Sequence, residues 1–483
     1  MFGFFSSGLF LGWSLGANDA SNVFGTAVAS RMIRFRTAAL YCSIFVILGA
    51  VISGAGASHT LGKLGDVNAV AGAFIVAFAA AMSVYLMTLA RFPVSTSQAI
   101  VGAIIGWNMF SGSLTDMSSL TKIVSTWIIC PLLAAGISMP LYLMTGVVVR
   151  RFGIHMFKLD ALTRWSLLGA GIFGSYSLGA NNIANVMGVF VPVAHLSDIS
   201  LLGITFSGAQ QLFLLGGIAI AIGVFTFSKR VMLTVGKGIF DLSPVMAAVV
   251  VWSHSIVLFL FSSVALESWL KEHGLPQFPL VPVSSSQAIV GAVIGIGLLK
   301  GGKSIRWKTV AGITSGWVTT PIIAALISLF SLFFLQNVFQ QDTFRKVEYM
   351  LDNEAVARIE ESGIDTKNLE PLLRQQLPNG VTFKKEMEKL LPLDEKSLDL
   401  VMEAAEIDNL EISPEALGEI KSQSMSRKQF KALTKLSGRV FSHRWQLAAA
   451  LAEQSQEFQF KENEEHNARL NSLLNRLYNQ FRQ

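Results

Sequence analysis

Two hydroxyl-rich segments of the sequence have residue types suited to binding an anion. PVSTSQAIVG occupies residues 93–102, and PVSSSQAIVG occupies residues 282–291. In each, three small hydroxyl residues lead into a short apolar stretch, which predicts a helix capped by serine or threonine. The first turn of a helix exposes free N–H groups and a partial positive charge, which attract anions. The candidate anion-binding residues are Ser95, Thr96, Ser97, Ser284, Ser285 and Ser286.

A tetrahedral oxyanion suits this pattern, because hydroxyl and amide groups donate hydrogen bonds without a buried lysine or arginine. The simpler interpretation is that the serines only cap two helices or a re-entrant turn. Near identity of the two copies favours binding, since 12 of the 15 residues from 93 to 107 recur in 282–296.

A second pair of motifs offers oxygen atoms to a cation. GANDASNVFG at 16–25 recurs as GANNIANVMG at 179–188. Asp19 is a lone carboxylate in an apolar stretch, and a charge at mid-membrane costs about 2.5–3.5 kcal/mol. Oxygen-rich interruptions of helices hold sodium or protons in transporters. The candidate cation-binding residues are Asp19, Asn18, Asn22, Asn181 and Asn182, with Asp19 and Asn182 as the positions considered for sodium.

An alternative for these clusters is a glycine-rich helix crossing in which asparagines bond between helices. It explains the glycines but not a lone aspartate. Asp19, Asn22 and Asn185 are also candidates for the substrate site, beside the serines.

Long apolar segments must position these motifs. The chain has 483 residues, of which 52% are hydrophobic and 14% charged, whereas soluble proteins carry about a quarter charged residues. A spanning helix needs about 20 apolar residues. We predict spans at 38–57, 69–90, 123–149, 201–227, 245–266 and 310–335, interrupted spans at 2–33 and 165–194, and short re-entrant helices at 99–110 and 288–299.

The repeated motifs and the charges together predict the topology. Ten segments in two copies give five crossings per copy, so the second copy must be inverted. This arrangement places 15 lysines and arginines on the cytoplasmic side and only Lys63, Lys122 and Lys271 outside, as the positive-inside rule requires. The predicted domains are transmembrane repeat 1 (1–150), a cytoplasmic linker (151–164), inverted repeat 2 (165–338) and a soluble helical domain (340–483), with the N-terminus and that domain on the non-cytoplasmic side.

The polar tail carries helix-start signals at Asp365-Thr366, Asp394-Glu395, Ser413-Pro414 and Ser426. Leu470, Leu473, Leu474 and Leu477 follow helical spacing. We predict four or five short helices and a long terminal helix from about Val440. No catalytic or metal-binding pattern is visible in the tail, and His443 and His466 have no evident partners in the sequence. A regulatory, oligomerising or partner-binding role remains open.

The paired motifs resemble the signatures of the inorganic phosphate transporter (PiT) family, over about residues 1–335. The resemblance implies an all-α polytopic membrane protein with two inverted-topology repeats, broken helices and re-entrant helical hairpins. It also implies a sodium- or proton-coupled phosphate symporter, with Asp19, Asn22, Asn182 and Asn185 joining the six hydroxyl residues at the centre. Three departures stand out: Asn182 replaces an aspartate of many members, Gln98 and Gln287 replace histidines, and residues 53–60 lack an acidic residue that many members have.

We therefore expect a non-enzymatic symporter in a bacterial inner membrane that imports phosphate by alternating access. Its partners would be inorganic phosphate, sodium or protons, and lipid, with no other cofactor and no nucleic acid; a homo-oligomer remains open. The alternatives are the same machine working on sulfate or another oxyanion, an anion channel, and a receptor or scaffold acting through its tail. His254, in an apolar segment, is expected to bond within the bundle, with a proton relay as the alternative; Trp127 and Trp317 are expected to pack.

Overall fold

The chain folds into two helical units. The computed structural model describes residues 2–65, 67–89, 94–194, 196, 198–201, 204–235, 240–391, 393–420, 425–461 and 464–482. The first, here called the membrane unit, comprises Met1–Ser111 and Thr115–Arg345, and the second, the tail unit, comprises Gly112–Leu114 and Lys346–Gln483.

The membrane unit is built from long apolar helices and one small hairpin. A 3₁₀ turn (Phe2–Phe5) precedes the first helix, and another (Gly188–Phe190) follows the eighth. Strands β1 (Ile199–Leu201) and β2 (Ile204–Phe206) pair antiparallel. The helices are α1 (Ser6–Asn18), α2 (Ala20–Ala29), α3 (Phe35–Ser53), α4 (Ala55–Leu64), α5 (Val70–Leu89), α6 (Thr96–Ser111), α7 (Met117–Arg151), α8 (Met156–Met187), α9 (Gly208–Thr226), α10 (Ser228–Val235), α11 (Pro244–Leu260), α12 (Val264–Glu272), α13 (Ser285–Leu299) and α14 (Trp307–Asn337).

Several of these helices are suited to a bilayer. Within the described residues, α3, α5, α7, α9 and α14 are each long and apolar enough to cross a membrane. The predicted span over 245–266 is not one continuous helix, because α11 ends at Leu260 and α12 continues at an angle of 68°. Two serines explain the bend: Ser262 Oγ donates to Leu258 O at 2.9 Å, and Ser263 Oγ caps α12 by accepting from Leu266 N at 3.2 Å.

Each repeat packs helices onto the other repeat in a reciprocal way. Helix α1 of the first copy lies against α9, while α8 of the second copy lies against α3. Glycines allow both crossings: a Cβ on Gly16 would come 2.0 Å from Ile220 O, and one on Gly179 would come 2.1 Å from Val46 O. The glycines of the GAN motifs therefore serve close helix crossing, as the alternative interpretation expected for them.

The two short helices that follow the serine motifs show the same reciprocity. Helix α6 packs on α14, and α13 packs on α7. A Cβ on Gly102 would come 2.1 Å from Pro321 O, and one on Gly291 would come 2.1 Å from Pro131 O. Each short helix therefore packs closely against a long helix of the other copy, and this packing holds the starts of α6 and α13 in place.

The tail unit contains short helices and two small sheets around two apolar clusters, one centred on Phe383 and Met387 and the other on Leu447 and Phe458. Its 3₁₀ turns are Lys367–Leu372 and Gln456–Phe458. Strands β3 (Glu348–Tyr349) and β4 (Glu406–Ile407) pair antiparallel, as do β5 (Leu410–Glu411) and β6 (Val440–Phe441). The helices are α15 (Asn353–Glu361), α16 (Gly380–Leu390), α17 (Glu395–Ala405), α18 (Pro414–Glu419), α19 (Arg427–Lys435), α20 (Arg444–Gln454) and α21 (Glu464–Phe481).

Most helix starts in the tail are confirmed, and two other predictions are corrected. Asp394, Ser413 and Ser426 cap α17, α18 and α19. The terminal helix does not begin near Val440, which lies in β6. Two separate helices, α20 and α21, take its place, because the extended backbone of Ser455 ends α20. His443 does have partners: its Nδ1 lies 2.6 Å from Glu406 O and its Nε2 lies 3.3 Å from Asp352 Oδ2.

Candidate functional site

Asp19 lies at a one-residue interruption between α1 and α2. Its torsions (φ −79°, ψ −27°) remain helical, and its N–H donates to Leu15 O at 2.7 Å. Asn22 N donates to Asp19 O at 3.0 Å, so the backbone tightens locally. This tightening orients the Asp19 side chain toward α6 without opening a loop.

The second copy departs from the prediction of an interrupted helix. Helix α8 runs unbroken through Gly179 and Asn185 and ends only at Met187. Gly179 lies inside this continuous helix, and its missing side chain admits the Val46 carbonyl of α3. The asparagines of this cluster therefore project from a regular helix.

The first serine of each hydroxyl motif is a helix cap. Ser95 Oγ accepts from Gln98 N at 3.3 Å, and Ser284 Oγ accepts from Gln287 N at 3.2 Å. Capping is therefore part of what these motifs do, and Pro93 lies outside the described residues. Thr96, Ser97, Ser285 and Ser286 fall in the first turns, where backbone N–H groups have no intrahelical partner.

A first hydrogen-bond network joins the carboxylate to both copies. Thr96 Oγ1 donates to Asp19 Oδ2 at 3.1 Å. Asn22 Nδ2 lies 3.5 Å from Asp19 Oδ1 and donates to Ser285 Oγ at 3.1 Å. Asn22 of the first copy therefore contacts the helix start of the second copy.

A second network crosses in the opposite direction. Asn185 Nδ2 donates to Ser97 Oγ at 2.8 Å and to Asn182 Oδ1 at 2.9 Å. Ser97 Oγ in turn donates to Val283 O at 3.2 Å. Together the two networks bring the starts of α6 and α13 and both asparagine clusters into one centre.

Asn18 and Asn181 contact the backbone ahead of the short helices. Asn18 Nδ2 donates to Val94 O at 3.2 Å. Asn181 Nδ2 donates to Val281 O at 3.1 Å, and its Oδ1 accepts from Val283 N at 2.9 Å. These two side chains hold the extended segments in place, a role that spacing alone did not indicate.

The centre is buried and offers uncommitted polar atoms. Gln98 Oε1, Gln287 Oε1 and Asn185 Oδ1 are buried acceptors, and Asn182 Nδ2 is a buried donor, without a partner in the part of the chain that the structure describes. An unpaired buried polar group is costly, so such atoms are suited to contact a polar guest. All the predicted site residues are at most 3% exposed: Asn18, Asp19, Asn22, Ser95, Thr96, Ser97, Asn181, Asn182, Asn185, Ser284, Ser285 and Ser286.

Charge at the centre is one-sided. Within the described ranges, no lysine or arginine forms an ion pair with Asp19, and no group of three or more His, Cys, Asp or Glu side chains could hold a metal ion. Hard cations such as sodium prefer oxygen ligands of the kind present.

Comparison with known proteins identifies the family. A model of the phosphate transporter family matches residues 15–328 and 277–388. The chain belongs to the phosphate transporter family. The resemblance drawn from the paired motifs is therefore confirmed, and the matched range contains every predicted site residue.

Individual relatives of this phosphate transporter family member differ in substrate. A protein of Methanocaldococcus jannaschii, provisionally named a phosphate permease, is 29% identical over 65% of this chain and 90% of its own length. The sulfate permease CysP of Bacillus subtilis is 30% identical over 67% of this chain and 86% of its own length. A solved structure titled "The sodium-dependent phosphate transporter" is 22% identical, with a TM-score of 0.53, over 69% of this chain and 98% of that chain, and shows the same fold.

The structure adds one residue to the site of this transporter family member. His254 of α11 is fully buried, and its Nε2 lies 2.9 Å from Ser285 Oγ. In the sequence His254 is a lone histidine in an apolar segment, and this contact meets the expectation that it bonds within the bundle. Its partner, however, is a predicted anion ligand, which no spacing rule indicated.

Proposed function

We propose that this family member imports inorganic phosphate by symport with sodium ions or protons. One observation carries the proposal: Asn22 and Asn185 cross between the repeats to Ser285 and Ser97, so two helix starts converge on one buried centre beside Asp19. Alternating access would then proceed by movement of the repeats around that centre.

Anion and cation would use different atoms of the centre. The first-turn amides of α6 and α13, with Ser285 and Ser286, would donate to phosphate oxygens, whereas the Ser97 hydroxyl already donates to Val283 O. Asp19 would balance the charge of the coupling cation, and Asn182, whose Oδ1 accepts from Asn185 Nδ2, would be a second ligand. Since Asn181 Oδ1 already accepts from Val283 N, its direct contribution to the cation site is expected to be smaller.

Coupling resolves an energetic problem. Moving one charge across 100 mV changes the free energy by about 2.3 kcal/mol, so a doubly charged anion entering a negative cell opposes about twice that. A passive channel would release phosphate outward, whereas cotransported cations offset the negative charge of the anion and add the free energy of their own gradient. Asp19, without a cationic partner in the described residues, gives such a cation a place to bind.

The decisive test is uptake of radiolabelled phosphate into proteoliposomes under imposed sodium and proton gradients. We expect accumulation against a concentration gradient that collapses when the driving cation gradient is dissipated. Ser285→Ala should strongly reduce it. Uptake that only equilibrates, at the same rate with and without either gradient, would contradict symport and favour a channel.

Sulfate is the second candidate substrate, since CysP, named a sulfate permease, is 30% identical to this chain. Sulfate only accepts hydrogen bonds, whereas phosphate at neutral pH also donates one, which the carboxylate of Asp19 would accept. We expect excess unlabelled phosphate, but not equal sulfate, to block phosphate uptake. Equal inhibition by both anions would favour a general oxyanion carrier.

The orientation in the bacterial inner membrane is also proposed, with the N-terminus and the tail unit on the non-cytoplasmic side. Cys42 and Cys130 are buried, so an added surface cysteine should dominate labelling. We expect Lys385→Cys, at an exposed tail position, to react with a membrane-impermeant maleimide on intact spheroplasts. Labelling only after membrane disruption would place the tail in the cytoplasm.

The tail itself gives a further check on which part of the chain acts. If transport belongs to the membrane unit, deletion of residues 346–483 should leave concentrative uptake in place. Loss of uptake by a chain that still inserts would instead support a tail with an obligatory role.

A further inference from the structure

A histidine contacts one of the two helix starts but not the other. His254 Nε2 lies 2.9 Å from Ser285 Oγ. In the first repeat, α5 packs on α1, α6 and α14 as α11 packs on α8, α13 and α7. The buried Ser83 of α5 donates to Ala80 O in its own helix. Thr96, the counterpart of Ser285, donates to Asp19.

The donors and acceptors around Ser285 Oγ and His254 determine which of the two residues donates in this contact. A serine hydroxyl has one proton and two lone pairs, and one lone pair of Ser285 Oγ already accepts from Asn22 Nδ2. His254 Nδ1 is buried and has no partner among the residues that the structure describes. Buried N–H groups without an acceptor are rarer than buried acceptors without a donor. The proton therefore belongs on Nε2, so that His254 donates to Ser285.

This assignment fixes what the Ser285 hydroxyl can do. Both of its lone pairs accept, from Asn22 and His254, and its own proton remains free to be donated. An oxyanion needs donors, and a hydrogen bond to a charged acceptor is stronger than a neutral one. We infer that His254 is a positioning residue that holds the Ser285 hydroxyl as a donor to the transported anion, an inference that rests on the proposed function.

The contact also makes the two helix starts unequal. Thr96 Oγ1 donates its proton to Asp19 Oδ2, so that proton is committed to the carboxylate. Ser285, whose two lone pairs accept from Asn22 and His254, keeps its proton for the guest. Of these two equivalent hydroxyls, the one in the second repeat donates to the anion, and the one in the first repeat donates to the Asp19 carboxylate.

Three substitutions of His254 separate donation from shape. Gln reaches the Nε2 position with an N–H donor, Asn reaches only the Nδ1 position, and Leu donates nothing. We expect His254→Leu and His254→Asn to raise the KM for the anion about tenfold to hundredfold, the range for loss of one hydrogen bond to a charged group. His254→Gln should stay within about threefold of the unaltered chain, and kcat should change little in all three.

A matched control comes from the same helix. Ser253 is buried in α11 and donates to Val249 O at 2.8 Å. Ser253→Ala should therefore leave the KM unchanged while testing whether any buried change in α11 impairs transport. Uptake is measured in proteoliposomes that contain equal amounts of inserted protein, with labelled phosphate and, separately, labelled sulfate. The sodium concentration is held constant while the pH is varied from 5.5 to 8.5 in about half-unit steps.

Several results would overturn the inference. An unchanged KM in His254→Leu would remove any role for the side chain, and equal effects of Gln and Asn would remove the donor at Nε2. A pH profile shifted by His254→Gln would make His254 a proton carrier instead. If the unaltered chain takes up neither anion, the proposed function fails and the inference falls with it, whereas normal uptake with an unaffected Leu variant overturns the inference alone.

Discussion

The two repeats share a scaffold but differ at the centre. Gly102 and Gly291 approach Pro321 and Pro131 in the same way. The acidic Asp19 of the first repeat, however, has the neutral Asn182 as its counterpart in the second repeat. The repeated scaffold therefore holds one carboxylate where its twofold pattern offers places for two.

The histidine adds a second inequality. His254 of the second repeat contacts Ser285, while Thr96 of the first repeat donates to Asp19. Since a carboxylate attracts cations and a free hydroxyl proton attracts anions, the two halves are suited to different guests. Duplicated geometry supplies the convergence of helix starts, and single substitutions divide the chemistry.

The largest effect is expected from making the repeats alike at the carboxylate. Asp19→Asn removes the charge that would hold the coupling cation, and loss of one partner of a buried ion pair costs about 3–5 kcal/mol, or more than about a hundredfold in binding. Gradient-driven phosphate uptake should collapse. Asp116→Asn, which changes a capping carboxylate of α7, is the control. Robust concentrative uptake by Asp19→Asn would refute the role of this carboxylate.

Next in size are the paired glycines, where the repeats should respond equally. Gly102→Ala and Gly291→Ala each place a methyl group 2.1 Å from a backbone carbonyl oxygen, and overpacking costs about 1–3 kcal/mol or more. Thermal unfolding in detergent should show both variants destabilised.

Gly136→Ala in α7 is the matched control, because a Cβ there meets nothing within 4 Å. Helix propensity predicts a neutral or stabilising change of up to about 1 kcal/mol. A wild-type melting temperature in either Gly102→Ala or Gly291→Ala would contradict the close approach on that side.

A smaller effect is expected from removing the hydroxyls of Thr96 and Ser285, which should alter the apparent affinities for different ions. Thr96→Val keeps the shape but removes the donor to Asp19, and loss of such an outer partner typically lowers ion affinity about tenfold to hundredfold. The cation concentration for half-maximal uptake should rise by about tenfold with a lesser change in anion KM, and Ser285→Ala should show the reverse. Similar effects of both variants on both ions would mean that the repeats do not divide the guests.

The smallest effect concerns the asparagines that hold the extended segments. Asn181→Ala loses two hydrogen bonds and Asn18→Ala loses one, at about 0.5–1.5 kcal/mol each. Asn181→Ala should therefore lower the melting temperature more, while exposed Asn337→Ala serves as the reference. A lower melting temperature for Asn18→Ala than for Asn181→Ala would show that Asn18 makes a further stabilising contact, such as one with an ion.

Local patterns in the sequence predicted much of this arrangement. Apolar length located the membrane helices, and small hydroxyl residues before α6 and α13 located two helix starts, because capping is a short-range interaction. The kinked pair α11–α12 and the unbroken α8 were not predicted. Residue type alone did not decide either case, since the bend rests on serine contacts only three or four residues away, and the same GAN motif lies at an interruption between α1 and α2 but inside a continuous α8.

The sequence by itself determined the duplicated motifs, the buried polar residues and the membership in a family of transporters, since these depend on residue type and spacing. Only the tertiary structure decided the division of labour among them. Asn18 and Asn181 became backbone contacts, and His254 joined Ser285 across 31 positions of the chain. Hydrogen-bond direction requires three-dimensional neighbours, because a hydroxyl or carboxamide donates or accepts according to what it meets.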